Sequence, residues 1–149
     1  MKLLISLVTL FISVSSFAST QIVCDIRQDL ATKPAYAPVQ YIFNANDKGE
    51  IRKVKSVISA EHPTYIIDLI NIDESAPAVC RGEGSLNNSN GPLQMSFDGY
   101  CSYIHSPSGG EVRTVVVSYD GKQGTLTIDR RVDRRTSHSE AIIENCKQL

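Results

Sequence analysis

Alternation with a period of two runs through almost every segment of this chain, and helical periodicity is nearly absent. Ile22, Cys24 and Ile26 fall on one face of a strand whose other face carries Val23, Asp25 and Arg27. The stretch from Lys33 to Pro38 breaks the run as a loop, and Val39, Tyr41 and Phe43 then resume the alternation. Asn46-Asp47-Lys48-Gly49 is a reverse turn, with Gly49 supplying the positive φ such turns need. It leads back through Ile51 to Ile58 and predicts a first hairpin. Residues 64–72 are rich in β-branched side chains with apolar residues on both faces. That pattern predicts a strand that is central or partly covered on its second side, with a helix as the competing reading.

A short strand over Ala78 to Glu83 follows, then a loop from Leu86 to Pro92. Leu93, Met95 and Phe97 alternate up to Asp98-Gly99, a tight-turn signal, and Cys101 and Tyr103 share one face of the next strand. After the break at Ser106 to Gly110, Val112 to Tyr119 is a strong β former. Asp120 to Gly124 turns it into Leu126 and Ile128, the firmest hairpin in the chain. The last segment admits two readings. Ser137 or Ser139 could cap a short helix carrying Glu140 in its first turn. Alternatively, Ile142 and Cys146 share a parity on a closing strand, which is favoured because Cys146 needs a strand's reach to bond an edge residue. The sum is an all-β fold of eight or nine strands, an antiparallel meander closing into a small barrel or a two-sheet sandwich.

The first eighteen residues stand apart from this pattern. Met1 and Lys2 precede an apolar run from Leu3 to Val14, and Ser16-Phe17-Ala18 offers small residues where a signal peptidase reads. Residues 1–18 are therefore expected to be a signal peptide and residues 19–149 a single secreted or periplasmic β domain. Of the charged residues only Lys2 lies in the leader, so the mature chain carries 14 basic and 16 acidic residues, a net charge of −2. Such balance gives no long-range attraction to nucleic acid, and no later stretch approaches the roughly 20 apolar residues of a transmembrane helix.

Export changes the meaning of the cysteines. Cys24, Cys80, Cys101 and Cys146 in a small exported chain read as two disulfides with three possible pairings. Cys24 with Cys146 and Cys80 with Cys101 is the favoured set, because the first ties the domain's ends together and the second clips two strands close in sequence. The spacings contain neither a CxxC redox motif nor a zinc pattern.

Candidate chemistry is sparse. His62, His105 and His138 lack chelating spacing, no serine sits in a nucleophile elbow, and no glycine loop has the lysine of a phosphate site. No metal, cofactor or enzyme activity is expected. The most unusual polar feature is Arg130-Arg131-Val132-Asp133-Arg134-Arg135, read as a loop whose arginine forks could hold carboxylates or phosphates. Tyr100 and Tyr103 form a second candidate, since tyrosine joins apolar area to one polar handle. The expectation is a non-enzymatic, secreted macromolecule-binding or inhibitor-like domain, with a protein or envelope polysaccharide as partner and Arg130, Arg131, Arg134, Arg135, Tyr100 and Tyr103 as contacts. The alternative is a carrier of a small apolar ligand in a barrel-interior pocket, its mouth lined by tyrosines. A filled interior beside an exposed patch favours the first; interior volume favours the second.

Overall fold

Two meanders, folded from the two halves of the chain, meet along one pair of strands to make a single nearly closed sheet. The computed structural model describes residues 19–27, 38–58, 65–74, 78–89, 91–105 and 109–149. The expected leader, residues 33–37 of the first loop and the segment around His62 lie outside them. The first half supplies β1 (Thr20–Ile26), β2 (Pro38–Ala45), β3 (Ile51–Ile58) and β4 (Tyr65–Asn71). The second supplies β5 (Ala78–Asn87), β6 (Gln94–His105), β7 (Gly109–Tyr119), β8 (Gln123–Val132) and β9 (Arg135–Gln148). The order across the sheet is β4-β3-β2-β1-β9-β8-β7-β6-β5, and every laddered pair is antiparallel. The first and last strands are thus neighbours, and the gap in the barrel falls between β4 and β5.

The alternating apolar residues of each strand point inward and form one core. Ile22, Phe43, Ile51, Ile70, Leu126 and Ile143 are its largest fully buried side chains. The disulfides join Cys24 to Cys146 and Cys80 to Cys101, the pairing favoured from the sequence, each with Cα atoms 4.0 Å apart. Cys80 and Cys101 are directly opposed on β5 and β6, while Cys24–Cys146 staples β1 to β9. Two disulfides and no free cysteine indicate an oxidising, extracellular or periplasmic compartment. Among the described residues, no helix is long and apolar enough to cross a membrane.

Several expectations are corrected. The segment over 64–72 is an edge strand, not a central one: Tyr65, Ile66 and Ile67 of β4 are 53, 56 and 42% exposed. Apolar residues on both faces cannot tell which strand ends a sheet; closure of β1 on β9 decided that. A register shift leaves Leu69 without a partner on β3, a bulge that lets the consecutive residues Leu69 and Ile70 both enter the core. The segment after residue 137 is strand, as favoured, but its inward residue is Ile143 rather than Ile142. Asn145, at φ 52, is the extra residue of a bulge opposite Cys24. The bulge reverses the parity of β9, so that Ile143 and Cys146 both face the core.

Asp98-Gly99 makes no turn; β6 runs unbroken through it from Gln94 to His105. The glycine is there for packing. Gly99 is registered against Gly82, and the Phe97 ring lies over this bare backbone, so a Cβ at Gly99 would come 2.5 Å from Phe97 Cζ. Gly84 is tighter still, because its Cβ would meet the Ser96 carbonyl oxygen at 2.5 Å and Phe97 Cα at 2.8 Å, backbone atoms that cannot swing aside. Gly84→Ala should therefore cost about 3 kcal/mol in urea unfolding. Gly91→Ala, with nothing within 4 Å of the added methyl, should leave the midpoint nearly unchanged. Equal midpoints for the two variants would show that β5 does not press on Phe97.

The open side is stitched at both ends. Toward the β2–β3 turn, Glu50 bridges Ser85, and the Leu86 amide donates to the Gly49 carbonyl at 2.9 Å. At the other end Arg113 of β7 reaches across to β4, donating from Nη1 to the Asp68 carbonyl at 3.0 Å.

Candidate binding face

Arg113 belongs to a charged crossbar built by residues of inward parity where the strands rise above the core. Glu111 and Arg113 occupy the same face of β7 as Val115 and Val117, and Glu111 is one of two buried polar residues among those described. Arg130 donates to it through Nε at 2.7 Å and through Nη2 at 2.9 Å, each nitrogen to a separate carboxylate oxygen. Arg113 Nη2 donates to the same Oε1 at 2.8 Å. A single buried carboxylate thus ties β8 to β7, and Arg113 carries the chain of bonds on to β4. The Arg113 guanidinium also lies 5.3 Å from the centre of the Tyr103 ring, a cation–π contact.

This environment holds the Glu111 carboxyl down at about 2, against an ordinary 4.5. The hydrogen bond from Arg130 is the largest cause and Arg113 adds to it, while burial opposes both. Arg130 is correspondingly pushed up by its bond to Glu111. Burial raises the phenol of Tyr103.

The six candidate contacts therefore do not share one surface. Tyr103 and Arg130 have inward parity and belong to the crossbar, although the Arg130 side chain remains half-exposed. Tyr100 and Arg131 have outward parity. The arginine-rich segment is also not a loop: Arg130 and Arg131 end β8, Arg135 opens β9, and only Asp133 and Arg134 form the turn. Asp133 takes the left-handed conformation, φ 52, that a short polar side chain tolerates.

Register lines up the outward residues in rows across the strands. One row runs Arg81, Tyr100, Thr114, Asp129, His138 from β5 to β9. The next runs Val79, Ser102, Val112, Arg131, Thr136. Between them on β7–β9 is an open groove of about 540 Å³, lined by Val112, Thr114, Asp129, Arg130, Arg131, Thr136, Ser137 and His138. Asp129 Oδ1 and His138 Nδ1 are 2.7 Å apart, so the carboxylate orients the imidazole. Beside the groove, Val79, Tyr100 and Val116 are 50, 42 and 40% exposed.

Such a surface offers forked donors, a carboxylate acceptor, hydroxyls and an aromatic face. Among the described residues, no three metal-ligating side chains converge. The contributions of Glu111, Thr114 and Asp129 were not anticipated, because register alone brings them beside residues on other strands. A signal for the crossbar did exist, since Glu111 and Arg113 occupy the core parity of a valine-rich strand. Searches against family models, curated proteins and solved structures found no match to this chain.

Proposed function

We propose that this chain is a secreted, non-enzymatic binding module that presents the outer face of β6–β9 to an acidic macromolecule. The observation that carries the reading is the placement of Tyr100 and Arg131 in adjacent rows of one exposed face. Half-exposed Val79 and Val116 flank them, and Arg134 and Arg135 stand exposed at the hairpin tip. Aromatic and arginine side chains beside apolar area are the composition that concentrates binding energy at protein surfaces. A sheet stapled by two disulfides holds this face in place before contact, which lowers the ordering cost of association. The packed core, with side chains such as Phe43, Ile70 and Leu126 fully buried, supports this reading over a carrier with an interior ligand.

Removing two charges from the face should matter more than removing two elsewhere. Arg131→Ala with Arg134→Ala is expected to weaken retention on an immobilised polyanion roughly tenfold at low salt. Lys53→Ala with Lys55→Ala, an equal change of charge on β3, should shift elution far less. Equal shifts for the two pairs would mean that only net charge counts, and the face would have no special role.

A further inference from the structure

We infer that the groove on β7–β9 binds an acidic oligosaccharide, with Arg131 holding its carboxylate or sulfate group and Tyr100 carrying a sugar ring. The inference rests on the proposed binding face and names the class of ligand that the face takes. Its basis is the mixture of groups in one row. Tyr100, Thr114, Asp129 and His138 succeed one another on four adjacent strands, so they span about 14 Å in a straight line at about 4.8 Å per strand. That length suits a short oligosaccharide lying across the strands. The groove beside the row has room for one, and Arg131 and Thr136 line its far side.

Asp129 decides between ligand classes. Its carboxylate stands in the groove one row from Arg131, so it repels any acidic group laid against it and favours a ligand whose charge falls at Arg131 and whose hydroxyls fall at Asp129. Toward a sugar it is an acceptor for ring hydroxyls, and Thr114 and Thr136 supply hydroxyls that both donate and accept. The bond to His138 Nδ1 holds that carboxylate in position and leaves the other ring nitrogen available to a ligand hydroxyl. Cation, acceptor and hydroxyls therefore alternate along the groove, matching a polymer that is both hydroxylated and charged. The exposed Tyr100 ring, between Arg81 and Thr114 in the row, supplies the flat apolar contact that the C–H face of a pyranose packs against. Arg131, with its planar fork, pairs with a carboxylate or a sulfate through parallel hydrogen bonds.

The test titrates the intact oxidised domain with four probes: trigalacturonate, a chondroitin sulfate tetrasaccharide, neutral maltotriose and hexaglutamate. Amide shifts and calorimetry report binding. One or both acidic sugars should bind, with shifts concentrated at Tyr100, Thr114, Arg131 and His138, and which of them binds tells carboxylate from sulfate. Maltotriose should bind at least about tenfold more weakly. Arg131→Ala and Tyr100→Ala should each lower affinity about tenfold, and Tyr100→Phe should retain it, because the ring rather than its hydroxyl carries the sugar. Both positions are on the surface, and an unchanged urea midpoint verifies that the variants fold. Failure of both acidic sugars to bind, or shifts confined to other strands, overturns the inference. Hexaglutamate binding that depends on Arg131 but not on Tyr100 also overturns it, while leaving the broader acidic-partner reading intact.

Discussion

Replacing Cys24 and Cys146 together by alanine is expected to cost about 5 kcal/mol and to separate the two halves of the sheet. The energy follows from the 122-residue separation of the two cysteines, which makes the closed loop nearly the whole domain. In the chain-entropy account the cost of losing a bridge grows with the logarithm of that length. Cys80→Ala with Cys101→Ala opens a loop spanning only 21 residues and should cost about 3 kcal/mol. A larger difference lies in where the bridges sit. Strands β1–β4 come from the first half of the chain and β5–β9 from the second, and among the described residues the β1–β9 ladder is the one ladder between them.

Cys24–Cys146 fastens that joint, whereas Cys80–Cys101 lies within the second meander. Loss of the first bridge should therefore leave amides of β1–β4 exchanging faster than those of β5–β8. Loss of the second should weaken both halves together. Hydrogen exchange on the two double variants distinguishes these outcomes. Uniform loss of protection in the Cys24–Cys146 variant would show that the seam on the other side couples the halves as strongly as β1 and β9 do. Against a typical domain stability of about 5–15 kcal/mol, the first variant should stand near the limit of folding at all.

Glu111→Gln should cost about 3 kcal/mol at neutral pH. The substitution keeps the volume and removes the charge that pairs two arginines. One of these, Arg113, is itself largely buried, so it loses its counter-charge in a place water hardly reaches. The same residue sets an acid dependence. The Glu111 carboxyl titrates near 2 in the folded protein against 4.5 ordinarily, so protonating it is harder folded than unfolded. Its contribution is complete above about 4.5 and is lost as the pH falls from there toward about 2, a total of about 3 kcal/mol. Urea midpoints of the native protein and Glu111→Gln should converge as the pH is lowered through that window. Parallel curves for the two proteins would remove Glu111 as the source of acid sensitivity. Asp120, whose carboxyl is held down by the Lys122 and Gln123 amides, titrates in both proteins and cancels in the comparison.

The sequence by itself determined the class of structure: an all-β domain with alternating strands, turns at Asn46–Gly49 and Asp120–Gly124, and four cysteines that pair as two disulfides. These are local or nearly local matters. Alternation follows from the pleat of a single strand, and turn residues are chosen by their own backbone angles. The pairing was only favoured among three, because Cys24 with Cys146 ties the ends of the domain together, and the meeting of β1 with β9 decided it.

Only the tertiary structure decided which strands became edges, which parity faced the core beyond a bulge, and which distant residues became neighbours. Residues 64–72 read as a central or partly covered strand because their apolar side chains fall on both faces, yet edge position is a property of the closed sheet and not of the strand. Asn145 reversed the facing of β9, since one unpaired residue shifts every side chain after it. The candidate site was divided for the same reason. Arg130 and Arg131 are adjacent in the chain and therefore on opposite faces of β8, one bound to a buried Glu111 and the other beside a groove with Tyr100. Register across strands, set by the closure of the whole barrel, determined which of those arginines meets a partner from outside.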